Sequence, residues 1–86
     1  MERNPKMGEA VVYVDPVGQA HPAIVTQPWS KDCVNVAFVT RDDKRRDPYG
    51  QQIERSTSLM HQSVVPVHGN YWRYVDETPK DSERAA

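Results

Sequence analysis

Apolar side chains recur at every second position in short bursts along this chain. The bursts are separated by turns rich in Asp, Pro and Gly, so the period is that of strands and not of helices. The first burst, Gly8–Asp15 (GEAVVYVD), sets Ala10, Val12 and Val14 on one face and Val11 and Tyr13 on the other. Asp15-Pro16-Val17-Gly18 reads as a tight turn. Asp caps its own backbone there, Pro presets φ, and Gly accepts a positive φ. A second strand over Ala20–Pro28 alternates Ala23 and Val25 with Ile24 and Thr26. Pro22 has no N–H to give a ladder and predicts an edge or a bulge near the strand's start. The third burst, Cys33–Thr40 (CVNVAFVT), places Val34, Val36 and Phe38 on the face assigned to the core, against Cys33, Asn35, Ala37 and Val39.

Arg41–Gly50 (RDDKRRDPYG) is a long polar loop that closes on a second Asp-Pro-x-Gly turn, Asp47-Pro48-Tyr49-Gly50. A polar strand is predicted within Gln51–His61, with Ile53 and then Leu59 or Met60 pointing inward. A helix over 52–62 is the competing reading, weakened by its serines and Thr57. Ser63–Gly69 is punctuated by Pro66 and Gly69 and predicts an irregular or single-turn segment. Asn70–Val75 supplies the last strand, with Trp72 and Tyr74 alternating against Tyr71, Arg73 and Val75. Residues 8–75 thus form the domain. The polar arm 1–7 and the acidic tail 76–86, which has almost no apolar content, are predicted to be loose or ordered by a partner.

Five short strands within 86 residues bury too little to build a two-layer sandwich, because a chain this size hides only about three-fifths of its unfolded surface. Curled into a small all-β barrel, they hide their own edges around one apolar cluster anchored by Val36, Phe38 and Trp72. The opening GEAVVYVDPVGQAHPAIVTQ resembles the first hairpin of Tudor, KOW and related SH3-like domains. That resemblance implies a five-stranded SH3-like barrel and carries no activity with it. Through VVYVDPVG, DPYGQQIER and HGNYWRY, residues 8–75 also resemble short proteins of tailed bacteriophages. This implies a virion-associated or host-interaction role, in the cytoplasm of a bacterial host or in the particle.

The formal net charge is −1, the hydrophobic content is 37%, and there is one cysteine, Cys33. A strongly basic nucleic-acid binder is therefore not expected, nor a disulfide or a Cys-based zinc site. No apolar run is long enough to span a bilayer, and residues 1–7 do not read as a signal peptide, so the chain reads as soluble and intracellular. His21, His61 and His68 follow no zinc-ligand spacing. There is no paired-carboxylate, phosphate-loop or nucleophile motif, and Cys33 reads as a small apolar filler. The expectation is a non-enzymatic protein with no cofactor, no metal and no small-molecule substrate.

Binding remains. Val11, Tyr13, Val39, Tyr71 and Val75 fall on the faces assigned to the outside, and together they predict a patch for a protein partner or for self-association. Cover by the long loop and the irregular segment is the alternative for the same residues. A nucleic-acid reading rests on Arg41, Lys44, Arg45 and Arg46 with Tyr49, and with Trp29, Tyr71, Trp72 and Tyr74 as further stacking faces. Asp42, Asp43 and Asp47 reduce the loop to a net +1 and weaken it. A methyl-lysine or methyl-arginine cage of Trp29, Tyr49 and Trp72 is a third reading.

Overall fold

The computed structural model describes residues 3–65, 69–80 and 83. Its elements are β1 (Ala10–Val14), β2 (Ala20–Pro28), β3 (Cys33–Val39), a 3-10 turn (Asp43–Arg45), β4 (Arg46–Asp47), β5 (Gly50–Gln51), β6 (Ile53–His61) and β7 (Tyr71–Tyr74). Strands β1-β2-β3-β6-β7 close into a barrel, and β4-β5 is a two-residue ribbon inside the long loop. All barrel pairs are antiparallel except β6–β7, which is parallel. This is the small all-β, SH3-like barrel expected from the strand count. The 52–62 segment is strand and not helix.

The two Asp-Pro-x-Gly turns form as their residues dictate. Asp15 Oδ1 accepts from the N–H of Val17 at 3.0 Å and of Gln19 at 2.9 Å, and Gly18 takes φ +90°. Asp47 Oδ1 accepts from Tyr49 N–H at 2.8 Å, and Gly50 takes φ +127°. The β2–β3 ladder begins at Ala23↔Phe38, so Pro22 lies just beyond it.

The core contains Val11, Tyr13, Ala23, Val25, Val34, Val36, Leu59, Trp72 and Tyr74, with Phe38 packed against it. Val36, Phe38 and Trp72 sit where the alternation places them. The two faces of β1 do not. Val11 and Tyr13 point inward, while Val12 is half-buried and lies between Pro22 and Arg73. Every residue from Ala10 to Val14 is apolar or aromatic, so β1 carries no internal signal for which face goes in. Its partners decide: Val11 pairs with Ala23 and Tyr74, both core residues.

Ile53 is also reversed, at 74% exposure against 2% for Leu59. The two share parity, so an unbroken strand would point both the same way. Between them the β3–β6 register shifts from Val36↔Ser56 to Val34↔Leu59, one extra residue on β6, and Ser58 takes φ +55°. That bulge flips the parity. Glu54 and Ser56 then occupy the inward positions at the open end.

Tyr71 is 0% exposed because the chain beyond the barrel covers it. Lys80 Nζ lies 4.9 Å from the Tyr71 ring centroid and donates to the Val65 carbonyl. Described parts of the arm and tail also touch the barrel. Arg3 stacks 3.7 Å over the Tyr74 ring and pairs with Asp76 at 2.8 Å, and Pro5 is buried. Glu77 and Glu83 reach back to His61 and Arg73 at 2.7 Å each.

Candidate functional site

The barrel's outer surface carries one apolar face. Ala10, Ile24 and Ala37 lie abreast across β1, β2 and β3, and the row ends at Arg55 on β6. In the next row Pro22 stands opposite Val12, and Val39 stands opposite Ile53. Of these, Ala10, Pro22, Ile24, Ala37, Val39 and Ile53 line a shallow groove of about 400 Å³ with no charged residue among its walls. Ile24 is 48% exposed and Val39 39%. Alternation puts them there, since the same strands must send Ala23, Val25, Val36 and Phe38 inward. Apolar side chains on both faces of neighbouring strands leave one set uncovered.

Only part of the predicted protein-binding set belongs to this face. Val39 does. Val75 is 59% exposed but lies past the end of β7, away from the groove. Val11, Tyr13 and Tyr71 are buried and are removed from the set, for the reasons of register and cover given above. The residues missed were Ala10, Pro22, Ile24, Ala37 and Ile53. Ile24 was legible as the partner face of Val25. Ile53 was not, because the bulge at Ser58 has no apolar marker.

The long loop forms the rim of a separate, polar cleft of about 530 Å³ at one end of the barrel. Its floor is the cluster of Tyr13, His21 and Phe38, with the Tyr13 and Phe38 ring centroids 4.5 Å apart. Arg45 is held by both carboxylate oxygens of Glu54, whose charge raises the guanidinium's proton affinity further. Asp42 caps the 3-10 turn by accepting from Lys44 N–H at 2.9 Å. Arg41, Lys44 and Arg46 are exposed and have no carboxylate within ion-pair distance among the described residues. Tyr49 is 97% exposed at the loop tip. The loop thus presents three cations and a bare ring, with Arg46 lining not this cleft but an adjoining depression beside Pro22 and Val39.

Trp29, Tyr49 and Trp72 do not converge into a cage. Trp72 is fully buried, and its indole N–H donates to the Asp32 carbonyl at 2.9 Å. Trp29 precedes β3 and Tyr49 follows it, so they stand toward opposite ends of that strand. Trp29 is 61% exposed yet tethered, its indole N–H donating to Asn35 Oδ1 at 2.9 Å.

The two described histidines are structural. His21 Nε2 lies 2.8 Å from Asp15 Oδ2, and its Nδ1 accepts from Arg41 N–H at 3.1 Å. His61 Nε2 lies 2.7 Å from Glu77 Oε1, and its Nδ1 is 2.8 Å from Ser63 Oγ. The latter arrangement has the outline of a Ser–His–Glu relay. However, Ser63 N–H, a donor an oxyanion would need, points at the same Nδ1 at 3.2 Å. These contacts clasp the turn that follows β6. No group of three or more His, Cys, Asp or Glu is placed to hold a metal among the described residues, and His68 lies outside them. Cys33 is half-buried. Among the described residues no helix is long and apolar enough to cross a membrane. Comparisons with protein-family models, curated proteins and solved structures give no significant match.

Proposed function

We propose that this protein is a non-enzymatic protein-interaction or assembly module that docks through the outer face of β1, β2, β3 and the start of β6. One observation carries the reading: Ile24, Val39 and Ile53 are exposed together, beside Ala10, Pro22 and Ala37, in a groove walled by apolar residues. Scattered apolar side chains need no explanation on a small protein, but a contiguous set spanning four strands marks an interaction surface. In the phage setting suggested by the sequence resemblance, the partner is a virion or host protein, or a further copy of the chain. The site of action is then the host cytoplasm or the particle.

Val39→Lys with Ile53→Lys tests this by light scattering and co-purification of the partner. The pair should abolish any oligomer or complex while leaving Tm within a few degrees, since neither side chain is in the core. Val64→Lys, exposed and off the face, should leave association intact. A wild-type chain that stays monomeric and brings down no protein overturns the reading.

A second reading, nucleic-acid binding by the loop, is favoured by Arg41, Lys44 and Arg46, which have no ion-pair partner among the described residues, beside exposed Tyr49. It requires affinity that falls steeply with salt, with a log–log slope of about −0.7 per phosphate neutralised on a single strand. Arg41→Glu with Lys44→Glu should remove it. Arg45 is a poor choice for this test because Glu54 already holds it.

A further inference from the structure

His21 is 3% exposed, sits on β2 with its ring against Tyr13 and Phe38, and joins two segments distant in sequence. Its hydrogen bonds fix where its proton lies. The backbone N–H of Arg41 is a donor only, so Nδ1, 3.1 Å away, must offer its lone pair. The single proton of the neutral ring is then on Nε2 and is donated to Asp15 Oδ2 at 2.8 Å. Asp15 in turn holds the β1–β2 turn through Val17 and Gln19 N–H. On the far side, Arg41 opens the loop that rims the cleft.

We propose that His21 is an acid-operated latch on this loop. A second proton can enter only at Nδ1, where it faces the N–H of Arg41. Acceptor becomes donor, the bond is lost, and the start of the loop is released. The other half of the latch behaves in the opposite way, since an imidazolium binds the Asp15 carboxylate more strongly than neutral imidazole does. The device therefore has a direction: acid releases the backbone at Arg41 and tightens the 15–19 turn, while Arg45 stays held by Glu54. The other charged and titratable groups around the ring are Tyr13 on β1, Glu54 on β6, and Asp42, Asp43, Lys44 and Arg45 along the rim. Glu54 is engaged by Arg45, and Asp42 is engaged as the cap of the 3-10 turn, so among the described residues Asp15 is the carboxylate bonded to the ring. Releasing Arg41 loosens the start of the rim beside Tyr13 and Phe38, while the apolar face keeps its strand pairing.

NMR of the whole chain between about pH 8 and pH 5, the window in which histidine changes charge, reads this directly. The Arg41 amide should shift with the same midpoint as the His21 ring carbons. Its hydrogen exchange, corrected for intrinsic chemistry, should speed up roughly tenfold in the acid form, the loss of one hydrogen bond. Val17 and Gln19 amides should stay protected. His61 contacts Ser63 and Glu77 and not the loop, so the 62–65 turn serves as a control distinct from the Arg41 amide. His21→Asn keeps an acceptor near the Nδ1 position and has no second proton to take up, so it should abolish the loop response. Three results overturn the proposal: a loop unmoved while His21 gains its proton, a His21 that never gains it across this range, or the same acid response in His21→Asn. Should His21→Asn fail to fold, coincidence of the two midpoints in the wild-type chain decides.

Discussion

A methyl group on Gly69 would sit 2.1 Å from the carbonyl oxygen of Asp15 and 3.0 Å from the carbonyl carbon of Pro16. Both contacts are backbone, so neither can swing aside. One residue on, Asn70 N–H donates to the Val14 carbonyl at 2.7 Å, which fixes how the chain re-enters the barrel as β7. Gly69→Ala should therefore cost about 1–3 kcal/mol, seen as a lower urea midpoint at unchanged slope. Tyr13 makes a different statement about stability. Burial pushes its phenol above the ordinary tyrosine value, and its hydroxyl donates to Asn70 Oδ1 at 3.2 Å. The folded state therefore holds this proton after the unfolded chain has lost it. The stabilisation is whole below about pH 10 and disappears as the pH rises through the folded value. Tyr13→Phe should flatten the alkaline limb of the stability curve, though not entirely, because burial raises Tyr74 in the same direction. The sequence declared both kinds of residue unevenly. The turn aspartates and glycines were legible because their chemistry is local. Tyr13 was assigned outward because an all-apolar β1 has no alternation to read.

At the scale of elements, the strands themselves were legible, as were the core faces of β2 and β3, while the faces of β1 and β6 were not. β2 spans the residues that its alternation and flanking prolines indicated, and β3 ends one residue short. The faces of β6 depended on a bulge written in polar residues. Asn35 is the organiser of that region. Its Oδ1 accepts from Ser58 N–H at 2.8 Å, where β6 takes its left-handed kink, and from the Trp29 indole at 2.9 Å. One oxygen thus fixes the β6 parity that sends Ile53 out and Leu59 in, and also orients an exposed tryptophan. Asn35→Ala removes the acceptor from both donors. It should lower stability by about 1–2 kcal/mol, or roughly 4–16 °C in Tm for a domain of this size. Trp29 fluorescence anisotropy should fall in the same variant, because the ring loses its tether. A loss of stability without a change in anisotropy would mean that Ser58 alone matters. The place of Ile53 on the apolar outer face follows from this same parity, which is why alternation alone found Val39 but not its neighbour Ile53.

At the scale of the whole molecule, β7 is short and carries buried side chains on both faces. Trp72 and Tyr74 belong to the core, and Tyr71 and Arg73 lie beneath the chain that follows. Arg73 is the demanding member. Its guanidinium donates to both oxygens of Glu83, at 2.7 and 2.9 Å, and to the carbonyls of Tyr74, Val75 and Glu77. The two side chains are only 10% and 7% exposed. The bonds to Glu83 are the leading cause that raises the Arg73 proton affinity, so Arg73 stays charged and must be matched. A buried cation left alone is costly, whereas removing both members of such a pair is often tolerated. Glu83→Ala should thus destabilise the barrel by about 1–3 kcal/mol, the lower part of the range for broken buried pairs because three carbonyls still face Arg73. Arg73→Met with Glu83→Leu should recover most of that loss in urea unfolding. If Glu83→Ala is neutral, the tail merely lies on the barrel. If the double variant is worse than the single one, the packing of the arginine stem over Val12 matters more than its charge, and the tail stabilises β7 chiefly by covering it.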